Sequence, residues 1–123
     1  MWGFFKRIGR RLLGVFSFVK RNIRRAAKVL REVALLLARW KVPYGQNIVK
    51  ALGYILEILD FIDDLSPSFA TDYLLRAVDM LEEIIEKIED GTIEVADDVR
   101  DRILALYAKA KAALEAARKR LSD

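Results

Sequence analysis

The stretch WGFFKRIGRRLLGVFSFVKRNIRRAAKVLREVALLLARW, residues 2–40, decides how the chain folds. At about 100° per residue, Phe5, Ile8, Leu12, Val15, Phe16, Val19, Ile23, Leu30, Val33, Ala34 and Leu37 share one face of a helix. Lys6, Arg7, Arg10, Lys20, Arg21, Arg24, Arg25, Lys28 and Arg31 share the other. This separation predicts one amphipathic helix from about Trp2 to Trp40, roughly 58 Å long at about 1.5 Å per residue. Gly9 and Gly14 each weaken it by about 1 kcal/mol relative to Ala, so any bend belongs there. Pro43, Tyr44 and Gly45 read as the turn that ends it, because Pro43 disfavours helical geometry at Val42.

Beyond that turn the same periodicity continues. With Asn47 as N-cap, a second helix is expected over Ile48 to Leu65, striped by Ile48, Leu52, Ile55, Leu59 and Ile62 and widened by Val49, Leu56 and Phe61. So broad an apolar surface predicts a central position. Ser66 and Pro67 form a cap and first-turn proline for a third helix that Gly91 stops after about Asp90. Residues 92–95 read as a turn, and a fourth helix runs to about Leu121 on Val99, Ile103, Leu106, Tyr107, Ala110, Leu114 and Ala117. No strand signal competes. The fold class is therefore all-α, an antiparallel helical bundle of about four helices with a long basic amphipathic N-terminal helix. It divides into a basic arm at 1–42 and a three-helix bundle at 46–123, within one structural domain. Cutting the chain before Ala26 is expected to leave that bundle folded. Helices of roughly 27 to 40 Å cannot cover the arm along its length, so its first half must bend back, pair with another subunit or enter a lipid surface.

The 123 residues carry a net charge of +4, and its distribution matters more than its size. Up to Lys50 there are thirteen Lys and Arg against Glu32 alone, a balance of +12. From Ala51 to Asp101 the balance is −12, and from Arg102 onward it is +4. Such asymmetry speaks of partners: polyanions at one end and basic surfaces at the other. With no Cys and no His there is no disulfide framework, no thiolate or imidazole metal site and no His-assisted nucleophile. The longest uncharged run of the arm, Leu12 to Val19, has eight residues, where a membrane-spanning helix needs about 20. No cleavable signal pattern is present, so an intracellular or virion-associated location is expected rather than a transmembrane or secreted one. Two Asn, one Gln and no Cys beside abundant Arg and Glu point to a thermostable protein from a hot environment.

Two acidic spacings imitate a metal-binding motif. Asp97, Asp98 and Asp101 read Asp-Asp-x-x-Asp, and Asp60, Asp63 and Asp64 read Asp-x-x-Asp-Asp. Each resembles the clusters of isoprenoid synthases, where two such motifs face each other and hold magnesium on a diphosphate. The resemblance covers five residues at a time, and this chain is much too short to enclose such a cavity. Carboxylates at i, i+3 and i+4 are also what a solvated helix face carries. Glu82, Glu83, Glu86, Glu89 and Asp90 read the same way, since a di-iron carboxylate bundle wants Glu-x-x-His. The expectation is a non-enzyme with no metal and no cofactor.

The basic stripe is the stronger signal. Lys6, Arg7, Arg10, Arg11, Lys20, Arg21, Arg24, Arg25, Lys28 and Arg31 are spread over about 38 Å of helix with no acid among them. Salt bridges to the acidic segment could consume them, but a merely solvated face mixes its signs. Arg exceeds Lys by eight to five up to Lys50, and its planar fork grips phosphate. The stripe presents no base-reading Asn or Gln, so backbone recognition without sequence specificity is expected. Neutralising about six phosphates gives a log-log salt slope of about −5. Gly14 and Ser17 leave a gap in the stripe where a sugar-phosphate strand could approach. Alternatively Trp2, Phe5, Ile8, Leu12, Phe16 and Val19 enter an anionic membrane surface, or a partner, as the apolar side of the same helix. Residues 2–30 resemble a cationic membrane-active peptide in composition. In layout the whole chain is similar to small helical coat proteins of filamentous viruses from hot environments. The expected protein is a homo-oligomeric coat or packaging unit with no small-molecule substrate, acting on DNA or RNA backbone; the alternative is a peripheral membrane or membrane-active protein.

Overall fold

The structure of the chain, a computed structural model, describes Trp2 to Ser122, with side chains from Phe16 onward. The described residues form four helices: α1 (Trp2–Arg39), α2 (Gly45–Phe61), α3 (Pro67–Glu89) and α4 (Asp97–Ser122). They pack on one another as an all-α bundle without strands among the described residues. α1 is one uninterrupted helix of 38 residues, about 57 Å long, running through Gly9 and Gly14.

The connections show why the elements end where they do. α1 stops at Lys41, before the proline. Lys41 adopts the left-handed conformation (φ 51), its N–H donates to the Ala38 carbonyl at 3.1 Å, and the Val42 N–H donates to the Leu37 carbonyl at 3.2 Å. That is a Schellman closure, with Val42 buried beside Leu37 as its apolar clasp. α2 then begins three residues earlier than the periodicity predicts. Its N-cap is Tyr44, also left-handed (φ 76), which offers no side-chain cap; Asn47, the expected cap, lies inside the helix. At its other end α2 stops at Phe61 rather than Leu65, where the Asp64 N–H reaches the Phe61 carbonyl only three residues back at 2.9 Å in a tighter turn, and the Leu65 N–H shares that carbonyl at 3.1 Å. Ser66 caps α3 as its sequence implies, extended at φ −64 and ψ 144, with its hydroxyl accepting from the Phe69 N–H at 3.2 Å and Pro67 following. Gly91 ends that helix at φ +85.

One hydrophobic core joins all four helices, and α1 runs through it. Val19, Ile23, Ala26, Ala27, Leu30, Val33, Ala34 and Leu37 are all fully buried. α1 touches each of the other three helices, α4 most extensively, while α2 and α4 do not meet. α2 is thus peripheral, contrary to the expectation from its broad apolar surface, and the central place belongs to α1. Ala26, Ala27 and Ala34 on α1 and Ala110, Ala113 and Ala117 on α4 are buried, and such small side chains let helix axes approach to about 8 Å. α4 is antiparallel to α1: Arg120 lies 5.3 Å over the Phe18 ring and Arg102 bonds Glu32. From Val19 onward the basic helix packs with α2, α3 and α4 as one unit. A cut before Ala26 would remove the fully buried Val19 and Ile23 from that unit.

Three stability measurements check this packing by urea denaturation. Leu30→Ala is expected to cost about 3 kcal/mol, as a fully buried large-to-small change does. Deleting residues 1–25 is expected to cost more, since it removes Val19 and Ile23 together. Lys41→Gly is expected to add about 0.5–1 kcal/mol, because glycine adopts the left-handed cap without the Cβ clash.

Candidate functional site

The cations of α1 occupy the side of the helix opposite its buried stripe. Arg21, Arg25, Lys28 and Arg31 are exposed, and Lys20 and Arg24 are half-buried. Arg24 pairs with Asp63 at 3.2 Å, and the Lys20 Nζ donates to the Asp63 carbonyl at 3.2 Å. Among the described residues no carboxylate lies within 4 Å of Arg21, Arg25, Lys28 or Arg31. Glu32, the one acid of the stretch, bonds to Arg102 of α4, so its charge is answered from a neighbouring helix. Asn22 donates its side-chain amide back to the Phe18 carbonyl at 2.9 Å. Lys6, Arg7, Arg10 and Arg11, together with Trp2, Phe5, Ile8 and Leu12, have side chains outside the described residues.

Two features of the face come from tertiary packing. A shallow depression is lined by Phe16, Ser17, Lys20, Arg21, Arg24 and Asp63, at the place where the small Ser17 interrupts the stripe. It joins three cations, a hydroxyl and an aromatic ring. The second feature was missed in sequence: α4 brings Arg120 over Phe18, at 5.3 Å, while Arg118 and Lys119 face a groove beside Leu75 and Val78 of α3. The only sequence signal was the basic balance of the last residues, and nothing local says which helix they meet. The apolar side divides differently from expectation. Phe16 is 40% exposed, but Val19 is fully buried in the chain's own core and is not available to a partner or a lipid.

The acidic spacings are taken up by arginines. Arg100 lies 3.7 Å from Asp97 and 3.6 Å from Asp101, and Arg24 holds Asp63. Among the described residues no three carboxylates come together in a way that could hold a metal ion. No described helix is long and apolar enough to cross a membrane. The groups whose ionisation the fold visibly moves all move away from neutrality. The Tyr44 hydroxyl beside Lys87 raises the ammonium, the Thr92 hydrogen bonds lower Asp90, and burial raises Tyr107, whose hydroxyl has no partner. Tyr73 donates to Glu57 Oε2 at 2.6 Å and is pushed up to about 12 by that bond. What such a surface can do is bind through fixed charge. Comparison with protein-family models, curated proteins and solved structures finds no match to this chain.

Because the fold favours the neutral phenol of Tyr73, its contribution to stability is full below pH 10 and falls as the pH rises from about 10 to about 12. Ultraviolet titration is expected to find one tyrosine ionising near 12 and to find it returned toward 10 by Glu57→Gln. Tyr107→Phe is expected to leave stability unchanged or raise it by about 1 kcal/mol, since it removes a buried hydroxyl that bonds to nothing.

Proposed function

We propose that this protein is a non-enzymatic assembly unit, a coat or packaging protein, that binds nucleic-acid backbone without sequence specificity through the cationic face of α1. The observation that carries the reading is the row Arg21, Arg25, Lys28 and Arg31, exposed, without carboxylate partners among the described residues, and mounted on a helix whose opposite side is core. Rigid mounting matters, because guanidinium groups at fixed helical spacing meet successive phosphates without the cost of ordering a flexible arm. The depression at Ser17 and Arg120 over Phe18 extend the row toward the N-terminal end of α1, where Lys6, Arg7, Arg10 and Arg11 follow in sequence. The lipid reading needs the apolar side of the same helix to be free. Between Val19 and Leu37 that side is spent on the bundle, so this part of α1 has only its charges to offer. Location inside a cell or virion, self-association and thermostability belong to the same proposal.

A salt series with mixed-sequence duplex DNA, run beside anionic and neutral vesicles, tests it. The log-log slope is expected near −5, and Arg25→Glu with Lys28→Glu should reduce its magnitude by about 2 while leaving the thermal midpoint unchanged. No shift on DNA at low salt defeats the proposal, and vesicle binding that persists at high salt favours lipid instead.

A further inference from the structure

α2 is apolar on two sides but covered on one. Ile48, Ala51, Ile55 and Ile58 are buried against the bundle. On the outward side Val49 is 69% exposed and Leu56 41% exposed, with Gly53 between them one helical turn from each. On that side Val49 and Leu56 lie beside the exposed charges Lys50, Glu57 and Asp60, an apolar strip flanked by charge that neither α1 nor α3 covers. Gly53 adds an independent observation. A glycine in mid-helix is destabilising, and among the described residues a Cβ at Gly53 would meet nothing within 4 Å. The missing side chain leaves room for the backbone of a second helix to approach from outside.

We infer that the outward face of α2 is a two-fold homodimer interface, in which α2 packs antiparallel on α2 of a second copy about Gly53. The identity of the occupant follows from self-complementarity. A two-fold contact brings residue i to residue j and j to i. Centred near Gly53, it seats Val49 on Leu56 of the second copy, Leu56 on its Val49, and glycine on glycine, where the backbones come closest. The charges obey the same centre. Lys50 and Glu57 are exposed, two turns apart and so on the same flank, three residues before Gly53 and four after it. Antiparallel pairing therefore sets each Lys50 against the other copy's Glu57, twice per dimer. Glu57 is already held for this contact: its Oε2 accepts from Tyr73, and its Oε1 has no partner among the described residues. The Tyr73 ring stands edge-on to Tyr54 at 4.6 Å and stacks on the exposed Phe69 at 5.5 Å, which continues the apolar surface onto α3. This interface gives a surface to the self-association in the proposed function, but it does not depend on what α1 binds.

Sedimentation equilibrium of the full chain, at physiological salt and without nucleic acid or lipid, is expected to show twice the monomer mass at micromolar to submillimolar concentration. Lys50→Glu and Glu57→Lys should each weaken dimerisation about tenfold or more, since each places like charges together at both pairs. Mixing the two variants should restore the dimer, because the heterodimer has both pairs opposite in sign, and the double variant should dimerise alone. Gly53→Leu should keep the helical circular dichroism and the thermal midpoint of the diluted monomer while abolishing the dimer. A monomer at every concentration overturns the inference, as does self-association indifferent to the charge variants, or variants that fail to rescue each other on mixing. DNA binding by a strictly monomeric chain would leave the nucleic-acid binding of the proposed function standing and remove this interface together with the self-association.

Discussion

Everything in this molecule depends on the burial of one stripe of α1, from Val19 to Leu37, among three other helices. That burial holds the bundle together, and it also fixes the direction of every cation on the same helix. A side chain opposite a buried stripe points away from the body of the protein, and therefore away from the acids of α2, α3 and α4. A chain with balances of +12 and −12 on adjacent segments could satisfy itself electrostatically, yet the α1 cations from Lys20 to Arg31 make only one such ion pair among the described residues, that of Arg24 with Asp63. Packing geometry, acting through helical periodicity, keeps the opposite charges apart.

The ion pairs that do form are exposed and of modest worth. Lys87 with Glu83, Arg100 with Asp97 and Asp101, and Lys111 with Glu82 lie at 3.4 to 3.7 Å in high dielectric, where solvent screens most of the attraction. Stability rests on the apolar core and on chain reversals, one of which, between α1 and α2, uses two left-handed residues other than glycine, Lys41 and Tyr44. Tyr44 is held there by Lys87, which lies 4.5 Å over its ring and donates to its hydroxyl. The surface charge is left to act on other molecules.

α2 carries the opposite lesson. Its sequence is the most apolar of the four helices in pattern, yet it sits at the periphery, with Val49, Leu56 and Phe61 outside. Breadth of apolar surface says how much burial a helix wants and is silent about whether the cover comes from its own chain. The assumption that all of it must be internal placed α2 at the centre, where α1 belongs.

The helices themselves were legible locally. The 3.6-residue period of α1, Ser66 with Pro67 ahead of α3, and Gly91 behind it are signals carried within a few residues, and the structure agrees with each. The face that Arg21, Arg25, Lys28 and Arg31 share was equally legible, since periodicity assigns faces without reference to any partner. Non-local contacts were not. That Tyr44 meets Lys87, that Val19 is core rather than a surface for lipid, and that Arg120 crosses to Phe18 all depend on which helix lies beside which. Amphipathic periodicity determines which side of a helix is buried; which neighbour buries it is a competition among several apolar faces of similar quality, and only the packed bundle resolves it.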